Sequence, residues 1–204
     1  MLHYKTVAPR TLELLKSISA LQGLSGFSLA GGTALSLQLG HRMSVDLDFF
    51  GDRPFTTDEI LDLVSGLKPL SIISQSKHIL ILNIQNVKVD FVNYRYPLIA
   101  KNLLYDSIRL LDMPDIAAMK LAAIAGRGRK RDFCDIYFLL QKFTLKQMVG
   151  FYNQKYDDGS EMMVARSLTF FDDANTDEDP RVLNQKFDWQ DVQQEILHQV
   201  KRIF

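Results

Sequence analysis

A chain of 204 residues holds one domain, or one domain with a modest helical extension, and can bury a core that needs no covalent or metal staples. Twenty-four basic side chains balance twenty-four acidic ones, which excludes a whole-molecule field drawing the protein onto nucleic acid or an anionic membrane and leaves only local patches for such contacts. The single cysteine, Cys134, excludes an internal disulfide and a thiolate zinc cluster; with neither an apolar leader nor a stretch of bilayer-spanning length, no membrane partner is expected and a reducing cytoplasm is the expected setting.

Leu12, Leu15, Ile18 and Leu21 recur at intervals of three and predict an amphipathic helix over residues 11–21. Beyond Gly23 and Gly26, Phe27 to Ala30 reads as a short strand that stops at Gly31-Gly32, where Thr33 to Leu39 starts a helix closed by Gly40. Val45 to Phe50 has the period of a strand, with Val45, Leu47 and Phe49 on one face and Asp46 and Asp48 on the other. Thr56 or Thr57 can cap a helix from Asp58 to Leu67, with Asp58 and Glu59 near the positive end of its dipole. Strands are expected at Ile72-Ile73, His78 to Ile84 and Val87 to Val92, the last two joined by a tight turn at Gln85-Asn86. Asp112 and Asp115 bracket Pro114 as the start of a helix to about Ala125, and Gly126 and Gly128 break it before a second helix through Leu140. The remainder is helical in flavour. Within it, the acidic run DDANTDEDP, residues 172–180, reads as an exposed loop whose charges serve solvation, before a final helix around Trp189 to Lys201.

Chemistry concentrates in the carboxylates. Asp46 and Asp48, two apart in a strand, leave the same face and sit close together. Side by side they repel unless a cation neutralises them or water screens them, and oxygen-only ligands favour magnesium or manganese over zinc. Asp90, in the valine-rich VKVDFV, is costly in a strand without a partner. If that strand lies beside the first, three carboxylates converge and can hold two metal ions roughly 3.5 to 4 Å apart. Gly31-Gly32-Thr33 lies between a strand and a helix N-terminus, where bare backbone N–H groups can receive phosphate oxygens, although a tight turn is the simpler reading of two glycines. Arg42 either braces a phosphate or pairs with a strand-end carboxylate, and His41 is read as structural.

The run GGTALSLQLGHRMSVDLDFF, residues 31–50, resembles the first motif of the AbiEii/AbiGii toxin family of nucleotidyltransferase-like proteins, within the DNA polymerase β-type superfamily. VDFV at 89–92, DIAAMKLAAI at 115–124 and RGRKRDFCDIYFLL at 127–140 follow in the family order. The resemblance implies an α+β fold: a small mixed β-sheet with flanking helices over residues 1–110, then a helical region over residues 111–204 that completes the active site within one compact unit. It implies metal-binding aspartates at Asp46, Asp48 and Asp90, a lysine for nucleotide phosphates at Lys120, and an acid at Asp132 or Asp135, with Asp132 ranked ahead because Asp135 can pair with Arg131 four residues before it. The nucleotide is assigned to Gly31, Gly32, Thr33, Arg42, Ser44, Lys120 and Arg131. Lys120 is flanked at three and four residues by Ala117, Ala123, Ile116 and Ile124, so its ammonium is expected to emerge from an apolar helix face. Arg127, Arg129, Lys130 and Arg131 form a dense basic cluster, either a solvated turn or a seat for nucleotide phosphates or RNA.

The implied activity is Mg2+- or Mn2+-dependent transfer of a nucleoside monophosphate from an NTP to a hydroxyl of RNA (tRNA included), protein or a small molecule, by the toxin of a toxin–antitoxin or phage-defence pair with a cognate antitoxin. Two alternatives stay open. One is a nucleotide-binding module without turnover; the other is a small-molecule nucleotidyltransferase of the antibiotic-resistance type.

Overall fold

The computed structural model of the chain describes residues 1–183 and 186–203. Two compact units form: Met1–Pro97 with Lys101–Leu111, and Leu98–Ala100 with Asp112–Phe204. The first carries the sheet. Its strands are β1 (Phe27–Ala30), β2 (Leu47–Gly51), β3 (Leu70–Gln75), β4 (Ile79–Ile84), β5 (Val87–Asn93), β6 (Leu103–Tyr105) and β7 (Ile108–Leu110), in the spatial order β3-β4-β5-β2-β1-β7-β6. β2 runs parallel to β5 and β1 parallel to β7, while the other neighbours are antiparallel, so the sheet is mixed.

Local chemistry explains most of these strands. β2 and β5 alternate buried and half-buried positions, the burying face being Leu47 and Phe49 on one and Val87, Val89 and Phe91 on the other. Phe49 and Phe91 are register partners and stack with ring centroids 5.5 Å apart, and Phe27 meets Phe91 edge-on at 5.4 Å. Each fully buried phenyl ring contributes on the order of 2 kcal/mol by removal of apolar surface from water. Gln85 and Asn86 both have positive φ, 54° and 63°, the pairing a two-residue hairpin requires to follow strand twist. Asp106 and Ser107, at 46° and 69°, make the same turn between β6 and β7. Those two strands were not expected, because three residues apiece are too few to show alternation.

The helices of this unit are α1 (Pro9–Ser19), α2 (Gly31–Leu39) and α3 (Thr57–Val64). α1 starts earlier than its leucine spacing suggests, and its buried stripe is Thr11, Leu14, Leu15 and Ile18, not Leu12 and Leu21. α2 begins at Gly31, two residues before the expected start, and ends at Gly40 in the left-handed conformation, φ 72°. Thr56, not Thr57, caps α3 through a capping box with Glu59; the helix stops at Val64, short of Leu67, because Gly66 and Pro69 follow. β3 is longer than the Ile72-Ile73 expected, and β4 begins one residue after His78.

The second unit is helical: α4 (Met113–Gly126), α5 (Lys130–Leu139), α6 (Leu145–Lys155), α7 (Glu161–Leu168), α8 (Asp172–Asn175) and α9 (Trp189–Lys201). Asp112 caps α4 by accepting from the Met113 amide at 2.7 Å, with Pro114 in the first turn where its missing N–H costs nothing. α4 packs against α5, α6 and α7. Phe133, Phe171 and Trp189 close an aromatic cluster with centroids 5.0 to 5.8 Å apart. Among the described residues, no helix is long and apolar enough to cross a membrane.

Candidate active site

In the first unit, β2 and β5 set Asp48 and Asp90 as register partners, so the two carboxylates leave the same face of the sheet from strands roughly 4.8 Å apart. Asp48 is also the register partner of Ala30, the last residue of β1, which delivers Gly31 and the N-terminus of α2 beside it. Gly31 has φ 64°, and a β-carbon there would collide with Asp48 Oδ2. Only glycine lets the backbone approach this carboxylate so closely. A β-carbon at Gly32 would lie 2.5 Å from Arg42 Nη2.

The segment ahead of β2 departs from expectation. Asp46 precedes the strand instead of lying in it, and Val45 is 59% exposed instead of turned inward. The reason is competition for the backbone. Ser44 donates its amide to the Thr6 carbonyl at 2.9 Å and bridges Val7, while the Thr33 hydroxyl bonds the Asp46 carbonyl and, at 2.8 Å, the Ser44 hydroxyl. Arg42 is buried, with Nη1 donating to the Met43 carbonyl at 2.9 Å. His41, read as structural, is buried as well. Gly31, Gly32, Thr33, Arg42, Ser44, Asp46, Asp48 and Asp90 thus lie in one unit, around the start of α2 and the paired strands β2 and β5. The Thr33 and Ser44 hydroxyls are engaged with one another and the backbone, so they brace the segment that carries Asp46.

Asp90 is held by Lys88, which the strand period places on the same face two residues before it. Lys88 Nζ lies 2.7 and 2.6 Å from the two oxygens of Asp90. Among the described residues no three His, Cys, Asp or Glu side chains gather as a ready-made metal cluster. The donor set still suits a hard cation, since magnesium and manganese are held by one or two carboxylates together with substrate phosphates, and Asp48 and Asp90 supply two such carboxylates from partnered positions.

The second unit holds Lys120, Asp132 and Asp135. Lys120 does not emerge from its helix: its ammonium is buried 2.7 Å from Asp132 Oδ1 and 2.6 Å from Asp135 Oδ2, and both aspartates are fully buried. α5 and its neighbours cover the face of α4 that local spacing left open. The aspartates therefore look inward onto one ammonium. Two carboxylates on one lysine leave a net negative charge, and Arg127 Nε, 3.5 Å from Asp132 Oδ2, faces the excess.

The basic cluster at 127–131 is tied down. Arg129 Nη1 bonds Asp177 Oδ1 at 2.7 Å; Lys130 donates its amide to Asp177 Oδ2 at 3.0 Å and its ammonium to the Asp177 carbonyl at 2.6 Å and Asp179 Oδ1 at 3.0 Å. Lys130 also lies 5.5 Å from the Trp189 ring centroid. The Lys130 amide, with Arg129 beside it, holds the Asp177 carboxyl below the usual range despite partial burial. The acidic segment 172–180 begins with a short helix, α8, and its carboxylates at 172, 173, 178 and 179 are exposed as expected, while Asp177 and Asp179 also clasp Arg129 and Lys130. Arg131 is exposed on α5.

A further buried pair had no sequence signal. Lys155 Nζ lies 2.6 Å from Asp115 Oδ1, both side chains are 0% exposed, and Asp115 also accepts the amides of Ile99, at 3.0 and 3.2 Å, and Ala100, at 2.9 Å. That clamp is why Leu98–Ala100 belongs to the helical unit.

The mixed sheet with flanking helices is shared with solved structures. JHP933 from Helicobacter pylori superposes with a TM-score of 0.58 at 19% identity, over 97% of this chain and 93% of that one. The nucleotidyltransferase toxin MenT4 (Rv2826c) from Mycobacterium tuberculosis gives 0.61 at 14% identity, over 94% and 84%. The antibiotic-resistance factor ANT(2'')-Ia gives 0.53 at 13%, over 71% and 91%. At these identities the likeness is one of fold alone. Sequence narrows it further: the profile described as nucleotidyl transferase AbiEii toxin, type IV TA system, matches residues 13–202, and aq_aa25 of Aquifex aeolicus is 36% identical over 168 residues, 79% of this chain and 82% of that protein. The chain belongs to the AbiEii nucleotidyltransferase toxin family.

Proposed function

We propose that this protein transfers a nucleoside monophosphate from an NTP to a hydroxyl acceptor, with Mg2+ or Mn2+ held at Asp46, Asp48 and Asp90, and that it serves in the cytoplasm as the toxin of a toxin–antitoxin or phage-defence pair. The observation that carries this is the pairing of Asp48 with Asp90 on β2 and β5, directly beside the glycine-opened N-terminus of α2. The acceptor hydroxyl oxygen bonds to the α-phosphorus, the bond to the bridging oxygen of the β-phosphate breaks, pyrophosphate leaves and the hydroxyl proton passes to water. The amides opening α2 and its dipole receive phosphate oxygens, and Thr33 and Ser44 hold the Asp46 segment in place. A bound divalent cation would offset the charge growing on the phosphates. Asp132 and Asp135 keep the Lys120 ammonium inside the helical unit, which leaves the phosphate charge to the cation and the α2 amides, with positioning supplying most of the acceleration.

The test is incubation of purified protein with each α-labelled NTP, Mg2+ or Mn2+ and total cellular RNA, beside the Asp46→Ala/Asp48→Ala variant. Label retained on RNA or protein only with intact aspartates is the expected result and identifies base and acceptor class together. Label on neither, with nucleotide binding still detectable calorimetrically, would make the protein a binding module instead.

A further inference from the structure

Lys88 and Asp90 are two residues apart in β5 and so project from the same face, the one that carries Asp48 across the register. Lys88 stands one residue ahead of Val89, just as Asp46 stands one ahead of Leu47, and Val89 and Leu47 are register partners. The ammonium is thus built into the face on which the carboxylates lie. It contacts both oxygens of Asp90, at 2.7 and 2.6 Å, a charge-assisted double contact. The two ends of this pair differ in freedom: the Lys88 side chain is 41% exposed, whereas Asp90 is 15% exposed. Lysine can swing into water on its flexible stem while the aspartate stays in the sheet.

From this geometry we propose that Lys88 is the resident counter-ion of the carboxylate group, a positioning residue that holds Asp90 ready and competes with a divalent cation for it. The inference rests on the reading of Asp48 and Asp90 as cation ligands. A second cation cannot share Asp90 with an ammonium already 2.6 Å from its oxygen without strong like-charge repulsion. Loading requires Lys88 to leave, and an arriving triphosphate offers the ammonium an alternative anionic partner. Lys88 therefore opposes uptake of the free cation by the empty protein and yields when cation and nucleotide arrive together. No residue outside the chain is needed for this coupling.

The experiment is Mn2+ titration of the full chain without nucleotide, following the free-ion paramagnetic resonance signal, for the native protein and for Lys88→Met, Lys88→Arg and Asp48→Asn. Lys88→Met keeps the apolar stem, so its thermal midpoint should stay within a few degrees of native. It is expected to bind Mn2+ about two- to fivefold more tightly, the factor expected for release of a half-exposed ion pair. Lys88→Arg, which restores the cation, should return to native affinity. Added nucleotide should tighten Mn2+ binding more in the native protein than in Lys88→Met. Lys88→Met binding Mn2+ no more tightly than native, while Asp48→Asn loses it, would overturn the role of Lys88 and leave the carboxylate site standing. Asp48→Asn binding as native does, or no binding by any variant, would overturn both.

Discussion

Replacing Lys155 with methionine puts the buried charge of the helical unit to a quantitative test. Lys155 and Asp115 are both 0% exposed and 2.6 Å apart, and the carboxylate also accepts the Ile99 and Ala100 amides. Removing the ammonium strands a carboxylate in the interior, which costs about 3–5 kcal/mol, with the two amides offsetting part of it. For a chain of this length that corresponds to a fall in thermal midpoint of roughly 6–20 °C. Asp115→Asn leaves the mirror problem, a buried ammonium without its counter-ion, and should cost a similar amount. The double variant Asp115→Asn/Lys155→Met removes both charges yet keeps an amide oxygen for Ile99 and Ala100, so it should return to within about 1–2 kcal/mol of the native protein. Urea unfolding of all four proteins at neutral pH, followed by far-ultraviolet circular dichroism, closes the cycle. A loss below about 1 kcal/mol for Lys155→Met, or a double variant that falls by the sum of the singles, would refute the buried-pair argument.

Gly31→Ala places a methyl group against the Asp48 carboxylate at a φ of 64°; it should cost about 1–3 kcal/mol and weaken binding of a non-hydrolysable NTP by more than tenfold, read by calorimetry. Lys120→Met leaves Asp132 and Asp135 buried against each other and should lower stability by about 3 kcal/mol or more, as read from urea curves of the variant and the native protein. Because the folded Asp177 carboxyl titrates below its unfolded value, its stabilisation is fully present above about pH 4 and is lost as pH falls through the folded pKa. Asp177→Asn should therefore be less stable than native at neutral pH and lose less stability between about pH 4 and pH 2, as measured by urea midpoints across that range.

Local order was legible in the chain. The alternation in VKVDFV and LDFF, the Gln85-Asn86 hairpin, the Thr56 cap and the Asp112-Met113-Pro114 helix start all depend on interactions within a few residues, and periodicity records them directly. The candidate site was legible to the same depth: Asp48 and Asp90 sit on strand faces that their neighbours specify. Strand order is a different matter, for only the sheet decides that β2 pairs with β5 and brings those two residues level. Spacing on α4 turned Lys120 outward because it describes one helix alone; α5 and its aspartates, a dozen residues on, turn that face into interior. The same holds for the acidic run that clasps Arg129 and Lys130 across 47 to 49 residues, and for Asp115 and Lys155, which are 40 apart. Composition and periodicity determine which faces are apolar, because burial of each side chain is set by its neighbours on the element. Which charge meets which is decided only when the elements pack, because an ion pair depends on distance in space and leaves no trace in sequence spacing.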